Sequence, residues 1–351
     1  MALIGLLFCA GDLYSAEPTA ALELSSPVLR NGDFQRGASI GFFLDERGAF
    51  YEAAHYSGLI DRAVSAGVTH LQLAVRWFQD DVASSHIDAA PGETVEDTVL
   101  RETINAARRR GLKVFLMPFV FVRDTSDGSW RGAIAPSDPE AWWSSYRRYI
   151  LRYAKLAQES GIGLFAVGSE LKSLVTEEYR WRALIADVRG IYRGDLIYSA
   201  NWDNYQRVDF WDALDHLGVN GYFSLSRSYE PSLDHVASAW RRQRDALTTW
   251  AGHMARPFIL TEVGYRSSKI APAEPWNHFD VPTPSPEVQL RCYEALYRTW
   301  AQETTLGGLY TWNWFGEGGL EEAGFTPYGK PAFEVIRRWY LGSQRGKHAD
   351  D

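Results

Sequence analysis

The chain has 351 residues, 46% of them hydrophobic, and a formal net charge of −8 at pH 7. That suffices for one large core, and its 36 lysines and arginines are scattered without a basic block, which argues against a nucleic acid partner. Beyond the first residues no run reaches the roughly 18 apolar positions of a membrane span.

Residues 1–16 (MALIGLLFCAGDLYSA) hold a short apolar run and then small residues before Glu17-Pro18. They read as a signal peptide, so the expected location is secreted or periplasmic. Residues 17–36 form an N-terminal extension. With the leader removed Cys292 is the one remaining cysteine, so no internal disulfide is expected and the thiol falls within a helix.

A first strand is expected at 38–43 and a first helix at 51–66, with Leu59, Ile60 and Ala63 at helical spacing and Gly67 closing it. The second strand, 69–75, leads into Arg76, Trp77 and Gln79. A helix at 95–110 ends in three arginines and Gly111, which place cations at its carbonyl end and a glycine in the left-handed turn. A third strand follows at 113–117. Ser137-Asp-Pro-Glu140 then opens a helix by a capping-box pattern, and Trp143, Tyr146, Ile150 and Tyr153 run along its core face.

The fourth strand, Leu164-Phe-Ala-Val-Gly-Ser-Glu170, is apolar until it ends abruptly in Ser169 and a carboxylate. A helix at 177–192 and a strand at 196–200 lead into Asn201-Trp-Asp203. After a short helix, the sixth strand at 217–222 ends in Tyr222 and is followed by a helix at 233–253. The seventh strand repeats the design of the fourth, Phe258-Ile-Leu-Thr presenting Glu262. Ser285-Pro286 caps a helix reaching about residue 302, a strand occupies 308–312, the last helix covers 331–341, and 343–351 is a polar tail.

Eight strands, each followed by a helix, predict an α/β fold: a (β/α)8 TIM barrel as a single domain over 37–342. Helix-to-strand links are a few residues long, whereas the strand-to-helix links at 78–94, 118–137, 263–285 and 315–330 are long. Loops lengthened on one side place the function at the C-terminal ends of the strands.

Glu170 and Glu262 would then reach one face from different walls. Glycosidic hydrolysis needs such a pair, one carboxylic acid to protonate the leaving oxygen and one carboxylate to attack or stabilise the anomeric carbon. Trp77, Trp202, Trp312 and Trp314 follow or end strands and offer flat faces to pyranose rings, while Gln79, Asn201 and Asp203 are candidates to bond ring hydroxyls. Ordinary core packing for the tryptophans and loop solvation for the polar groups are the competing readings. The expected partner is a neutral polysaccharide or oligosaccharide. The eight histidines show no metal-binding spacing and there is no Gly-x-Ser-x-Gly elbow, so neither a metal nor a cofactor is expected.

Gly168-Ser-Glu170, Thr261-Glu-Val-Gly-Tyr-Arg-Ser267, Thr311-Trp-Asn-Trp314 and Phe325-Thr-Pro-Tyr-Gly-Lys-Pro331 together resemble clan A retaining glycosidases, most of all glycoside hydrolase family 113, whose activity is on β-1,4-mannan. By that resemblance Glu170 is the general acid/base and Glu262 the nucleophile. Tyr222 and Arg76 are candidates to hold the nucleophile ionised, Arg76 alternatively pairing with Asp80, and Tyr265 is a supporting residue. Ser169 stands where many members of that clan carry Asn against the sugar 2-hydroxyl, which leaves another β-linked glycan, containing glucose or galactose, as an alternative substrate. A barrel that binds carbohydrate without cleaving it is the alternative from a different class.

Overall fold

The computed structural model describes residues 29, 31–44, 48, 51–277 and 283–342. The expected leader, most of the extension and the polar tail lie outside the described residues. Strands β1 (Gln35–Gly41), β2 (His70–Gln79), β3 (Lys113–Val122), β4 (Leu164–Ser169), β5 (Asp195–Asn201), β6 (His216–Asn220), β7 (Phe258–Val263) and β8 (Leu306–Thr311) pair in parallel in sequence order, and β1 closes onto β8. Their runs of consecutive buried residues are what a parallel sheet covered on both faces requires.

Helices α1 (Ala53–Ser65), α2 (Asp97–Arg109), α3 (Pro139–Glu159), α4 (Glu178–Ile191), α5 (Leu233–His253), α6 (Pro286–Trp300) and α7 (Pro331–Leu341) form the outer ring. The expected short helix between β5 and β6 is instead two 3-10 turns, Tyr205–Arg207 and Trp211–Ala213, which lay Tyr205 and Trp211 against Trp250 of α5. The cap of α3 is Asp138, whose carboxylate accepts from the Ala141 N–H, with Pro139 pre-set in the first turn. Gly111, at φ 77°, turns the chain from α2 into β3. Cys292 is free and buried in α6.

The barrel interior is filled by Ala74, Phe115, Met117, Phe119, Leu164, Ala166, Ile197, Ile259 and Tyr310, with Trp312 lying partly buried on top. A polar chain crosses this interior. Ser39 donates to Gln72 (2.6 Å), Gln72 donates to the Thr261 carbonyl (2.8 Å), and the Thr261 hydroxyl donates to Asn220 Oδ1 (2.8 Å). Each member is fully buried, and each bond fixes the orientation of the next side chain.

Strands β2 and β3 continue past their expected ends, pairing over ten positions to Gln79 and Val122. Residues 76–79 are therefore strand, and strand alternation decides where they point. Trp77 and Gln79 turn outward to α3, whereas Arg76 and Phe78 lie on the opposite side.

Candidate active site

Glu170 immediately follows β4 and Glu262 lies near the end of β7, and each is only 7% exposed. Glu170 has φ 57°, a left-handed backbone that non-glycine residues adopt at a cost of about 1 to 2 kcal/mol. Strand β5 holds it there: the Glu170 N–H donates to the Ser199 carbonyl (2.9 Å), and the next N–H, of Leu171, donates to the buried Tyr198 hydroxyl (3.0 Å).

Arg131 contacts the first acid. It lies in a 3-10 turn of the β3–α3 link, its Nε donates to the Val120 carbonyl (3.0 Å), and its guanidinium lies 5.0 Å from the Phe119 ring centre. From there Nη1 donates to Glu170 Oε2 at 2.6 Å, a charge-assisted bond between a quarter-exposed cation and a buried carboxylate.

Tyr222, two residues past β6, is buried and donates its hydroxyl to Glu262 Oε2 (2.9 Å). Asn220, paired in register with Glu262, approaches from β6. Its Oδ1 is taken by Thr261, which leaves Nδ2 as a buried donor without a well-formed hydrogen bond, near enough to Glu262 to favour its ionised form. Burial pushes the Glu262 carboxyl up, and the Glu170 charge pushes it further. Arg131, Tyr222 and Asn220 pull it down, and the upward effects win. Burial and both carboxylates raise the Tyr222 phenol well above its ordinary value. Glu262 thus lies within electrostatic reach of Glu170.

The other expected site residues divide. Asn201 ends β5, and its amide donates to Asp203 Oδ1 (2.7 Å) while Lys172 takes Asp203 Oδ2 (2.6 Å), so both oxygens of Asp203 are engaged by the protein. Half-buried Trp202 stacks on Trp276 of the β7–α6 link, with centroids 5.6 Å apart and planes at 17°. Trp276 is 42% exposed. Trp312 lies over the barrel interior with its face near perpendicular to Phe43. Ser169 is buried in β4.

Four expectations, on Trp77, Gln79, Trp314 and Arg76, are corrected, and the supporting residue Tyr265 is located. Trp77 stacks on Tyr149 of α3 (4.9 Å, 25°) because its place in extended β2 turns it outward. Gln79 also points that way, its carbonyl accepting from the Trp142 indole (2.9 Å) and its amide donating to the Asp81 carbonyl (2.6 Å). Trp314 is fully buried against Phe333 of α7, its indole donating to the Thr311 hydroxyl. Tyr265 is buried behind the barrel wall, where its hydroxyl accepts from Trp240 (2.7 Å). Arg76 pairs with neither Glu262 nor Asp80 among the described residues. Its guanidinium lies 5.2 to 5.5 Å from the rings of Phe43, Phe78 and Phe121, and burial lowers its pKa.

Arg131 and Asn220 were not singled out from the sequence. Arg131 is a lone cation in a long link, and its contact lies 39 positions away. Gly132 beside it packs under the Trp130 ring, which a Cβ there would have to displace (2.3 Å), but a single glycine in a long link marks no cation in the sequence. Among the described residues no group of three or more His, Cys, Asp or Glu could hold a metal ion, and no helix is long and apolar enough to cross a membrane.

Comparison with known proteins gives a family and a fold. The model of Glycoside Hydrolase Family 113 matches residues 40–330. Among solved structures, a GH113 β-1,4-mannanase superposes with a TM-score of 0.77 at 26% identity, covering 88% of this chain and 99% of that one. The GH113 β-mannanase AaManA from Alicyclobacillus acidocaldarius does so with a TM-score of 0.76 at 28% identity, covering 89% and 98%. A β-glucuronidase from Faecalibacterium prausnitzii, 12% identical with a TM-score of 0.59 over 87% of this chain and 48% of that one, shares the fold alone. None of the curated proteins matches the chain.

Proposed function

The chain belongs to glycoside hydrolase family 113, and from that membership we propose that it is a retaining β-mannanase, cleaving β-1,4-mannan with Glu170 as general acid/base and Glu262 as nucleophile. What supports this reading most is the pair of buried carboxyls after β4 and on β7, the second raised by the charge of the first and each held by a different donor. The β-mannanase structures that superpose over most of the chain support the choice of sugar.

The working form carries one proton on the pair. With that proton on Glu170, the Glu262 carboxylate loses its charged opponent and keeps Tyr222, Asn220 and Arg131 as stabilising neighbours. Glu262 attacks the anomeric carbon while Glu170 gives its proton to the departing glycosidic oxygen, leaving a glycosyl ester on Glu262 and a carboxylate at Glu170. Glu170 then takes a proton from water, the hydroxide attacks the same carbon, and Glu262 leaves as carboxylate with the original configuration restored.

Trp202 stacked on Trp276, and Trp312 edge-on to Phe43, are aromatic groups in the links after the strands that suit the faces of pyranose rings. A polymer is the substrate that an enzyme exported by the leader at 1–16 would meet, and export belongs to the proposal. A mature extracellular protein beginning near residue 17 is its test.

Glu262→Ala should abolish mannan hydrolysis, and added azide should restore turnover with an inverted glycosyl azide as product. Near wild-type turnover in that variant rejects the assignment. A second reading changes only the sugar. Ser169 has a shorter reach than an amide toward a 2-hydroxyl, and faster reducing-sugar release from a glucan or galactan than from mannan would favour it.

A further inference from the structure

We propose that Arg131 is a positioning residue of the hydrolytic pair: it grips one oxygen of Glu170, leaves the other to carry the proton, and stabilises the carboxylate that forms when that proton departs. The inference rests on the reading of Glu170 as general acid.

The geometry is specific. Arg131 bonds Oε2 of Glu170, and Oε1 has no hydrogen-bond partner among the described residues. A protonated carboxyl can accept from a guanidinium through one oxygen while donating O–H through the other. Arg131 thereby decides which oxygen holds the proton, and with φ fixed at 57° and the side chain gripped at its end, the direction of that O–H is set. In the glycosylation step the Oε1–H bond breaks, the proton joins the leaving oxygen, and the electron pair stays on Glu170, 2.6 Å from a cation. The cation therefore acts more strongly after proton transfer than before, which is the condition for lowering a barrier.

Arg131 is built for this. Its Nε is committed to the Val120 carbonyl, and Phe119 lies beneath the guanidinium. The other charged groups of the site are engaged elsewhere: Glu262 is bonded by Tyr222, Lys172 is paired with Asp203, and Arg76 lies among three rings. No other cation bonds Glu170 among the described residues.

The test compares Arg131→Met and Arg131→Lys with wild type and Glu170→Ala on mannohexaose and on 2,4-dinitrophenyl β-mannoside, whose leaving group needs no proton. Arg131→Met should lower kcat/KM on the hexaose about 100-fold and on the dinitrophenyl substrate by at least about tenfold less, the loss common to both substrates being that of its pull on Glu262. Arg131→Lys should regain most of the loss. Equal losses on both substrates, in a variant of unchanged Tm, would overturn the proposal and leave Arg131 a structural residue. A variant of lowered Tm is judged by the ratio of the two substrates within one preparation, which depends on neither yield nor folded fraction. If Glu170→Ala itself shows no leaving-group dependence, the acid assignment fails and takes the proposal with it.

Discussion

The two ends of the barrel are made of the same strands and obey opposite rules. At the N-terminal end, α1 reaches β2 and α2 reaches β3 through links of three or four residues, and side chains at the strand starts pair locally, Thr69 with His70 (2.8 Å) and Tyr310 with Gln35 (2.6 Å). At the C-terminal end the links are long. There the chain keeps two carboxyls in mutual repulsion and, beside them, a buried amide donor without a well-formed bond. A non-glycine residue in the left-handed region occurs at both ends, Ala255 below and Glu170 above, but only Glu170 carries a reactive group. The lower end thus stabilises the molecule, while the upper end holds reactive groups in unfavourable states that the rest of the fold sustains.

The sharpest way to break this contrast is to remove the acids. Glu262→Ala should reduce kcat by about 10,000-fold, and Glu170→Ala should do so by about 100-fold or more on poor leaving groups, with neither lowering Tm. A marked fall in Tm would make these structural carboxylates and erase the distinction between the ends.

The two ends should also respond to pH with opposite signs. Burial, with Lys113 and Arg36, pushes the His70 imidazole down to about 4. The folded state then binds this proton less readily than the unfolded one, whose value is about 6.5, so stability is present above pH 6.5 and lost as pH falls toward 4. The loss is at most about 3 kcal/mol. Glu262 is raised, so its contribution is present below about pH 4.3 and is lost as pH rises through its folded value. Denaturant titrations of wild type, His70→Gln and Glu262→Gln between pH 4 and 8 separate the two. His70→Gln should flatten the acid slope alone, and Glu262→Gln the alkaline one alone; unchanged slopes in both would mean that neither group governs them.

A smaller effect sharpens the comparison within the upper end. Tyr222→Phe removes the one hydroxyl bonded to Glu262, and kcat should fall by about 10- to 100-fold, in line with the loss of a bond to a charged group, about 1.5 to 3 kcal/mol. Because Tyr222 lowers the nucleophile's pKa, the limb of the kcat/KM profile that reports Glu262 ionisation should move to higher pH. An unmoved limb would place the hydroxyl's role elsewhere.

How legible each end was follows from the same contrast. The lower end and the helices are governed by local rules, which the sequence states openly: apolar periodicity over 233–253 and 331–341 marks α5 and α7 with their observed bounds, and Gly111 marks the turn where it occurs. The two acids were legible because each ends an apolar run. What surrounds them was not. Trp77 and Gln79 were assigned to the cleft because the sequence does not record that β2 and β3 prolong each other to Gln79 and Val122, a pairing that fixes which side each residue faces. Arg131 meets Glu170, and Gln72 meets Thr261, only through barrel closure, across 39 and 189 positions.

The finest test concerns the strain itself. Glu170→Gly and Glu170→Ala both delete the carboxylate and free Arg131, so both should lose activity equally, and their difference in stability isolates the backbone. At φ 57° an alanine Cβ is crowded by the carbonyl oxygen that follows it, at about 1 to 2 kcal/mol, whereas glycine avoids the crowding but gives up about 0.5 to 1 kcal/mol in unfolded-state entropy. The glycine variant should therefore be the more stable by about 0.5 to 1 kcal/mol, a small rise in Tm. If alanine were equal or better, residue 170 would have relaxed to negative φ once its side chain was gone. The left-handed backbone would then be maintained by the grip of Arg131 on the carboxylate, and not by the Ser199 carbonyl and Tyr198 hydroxyl beneath it.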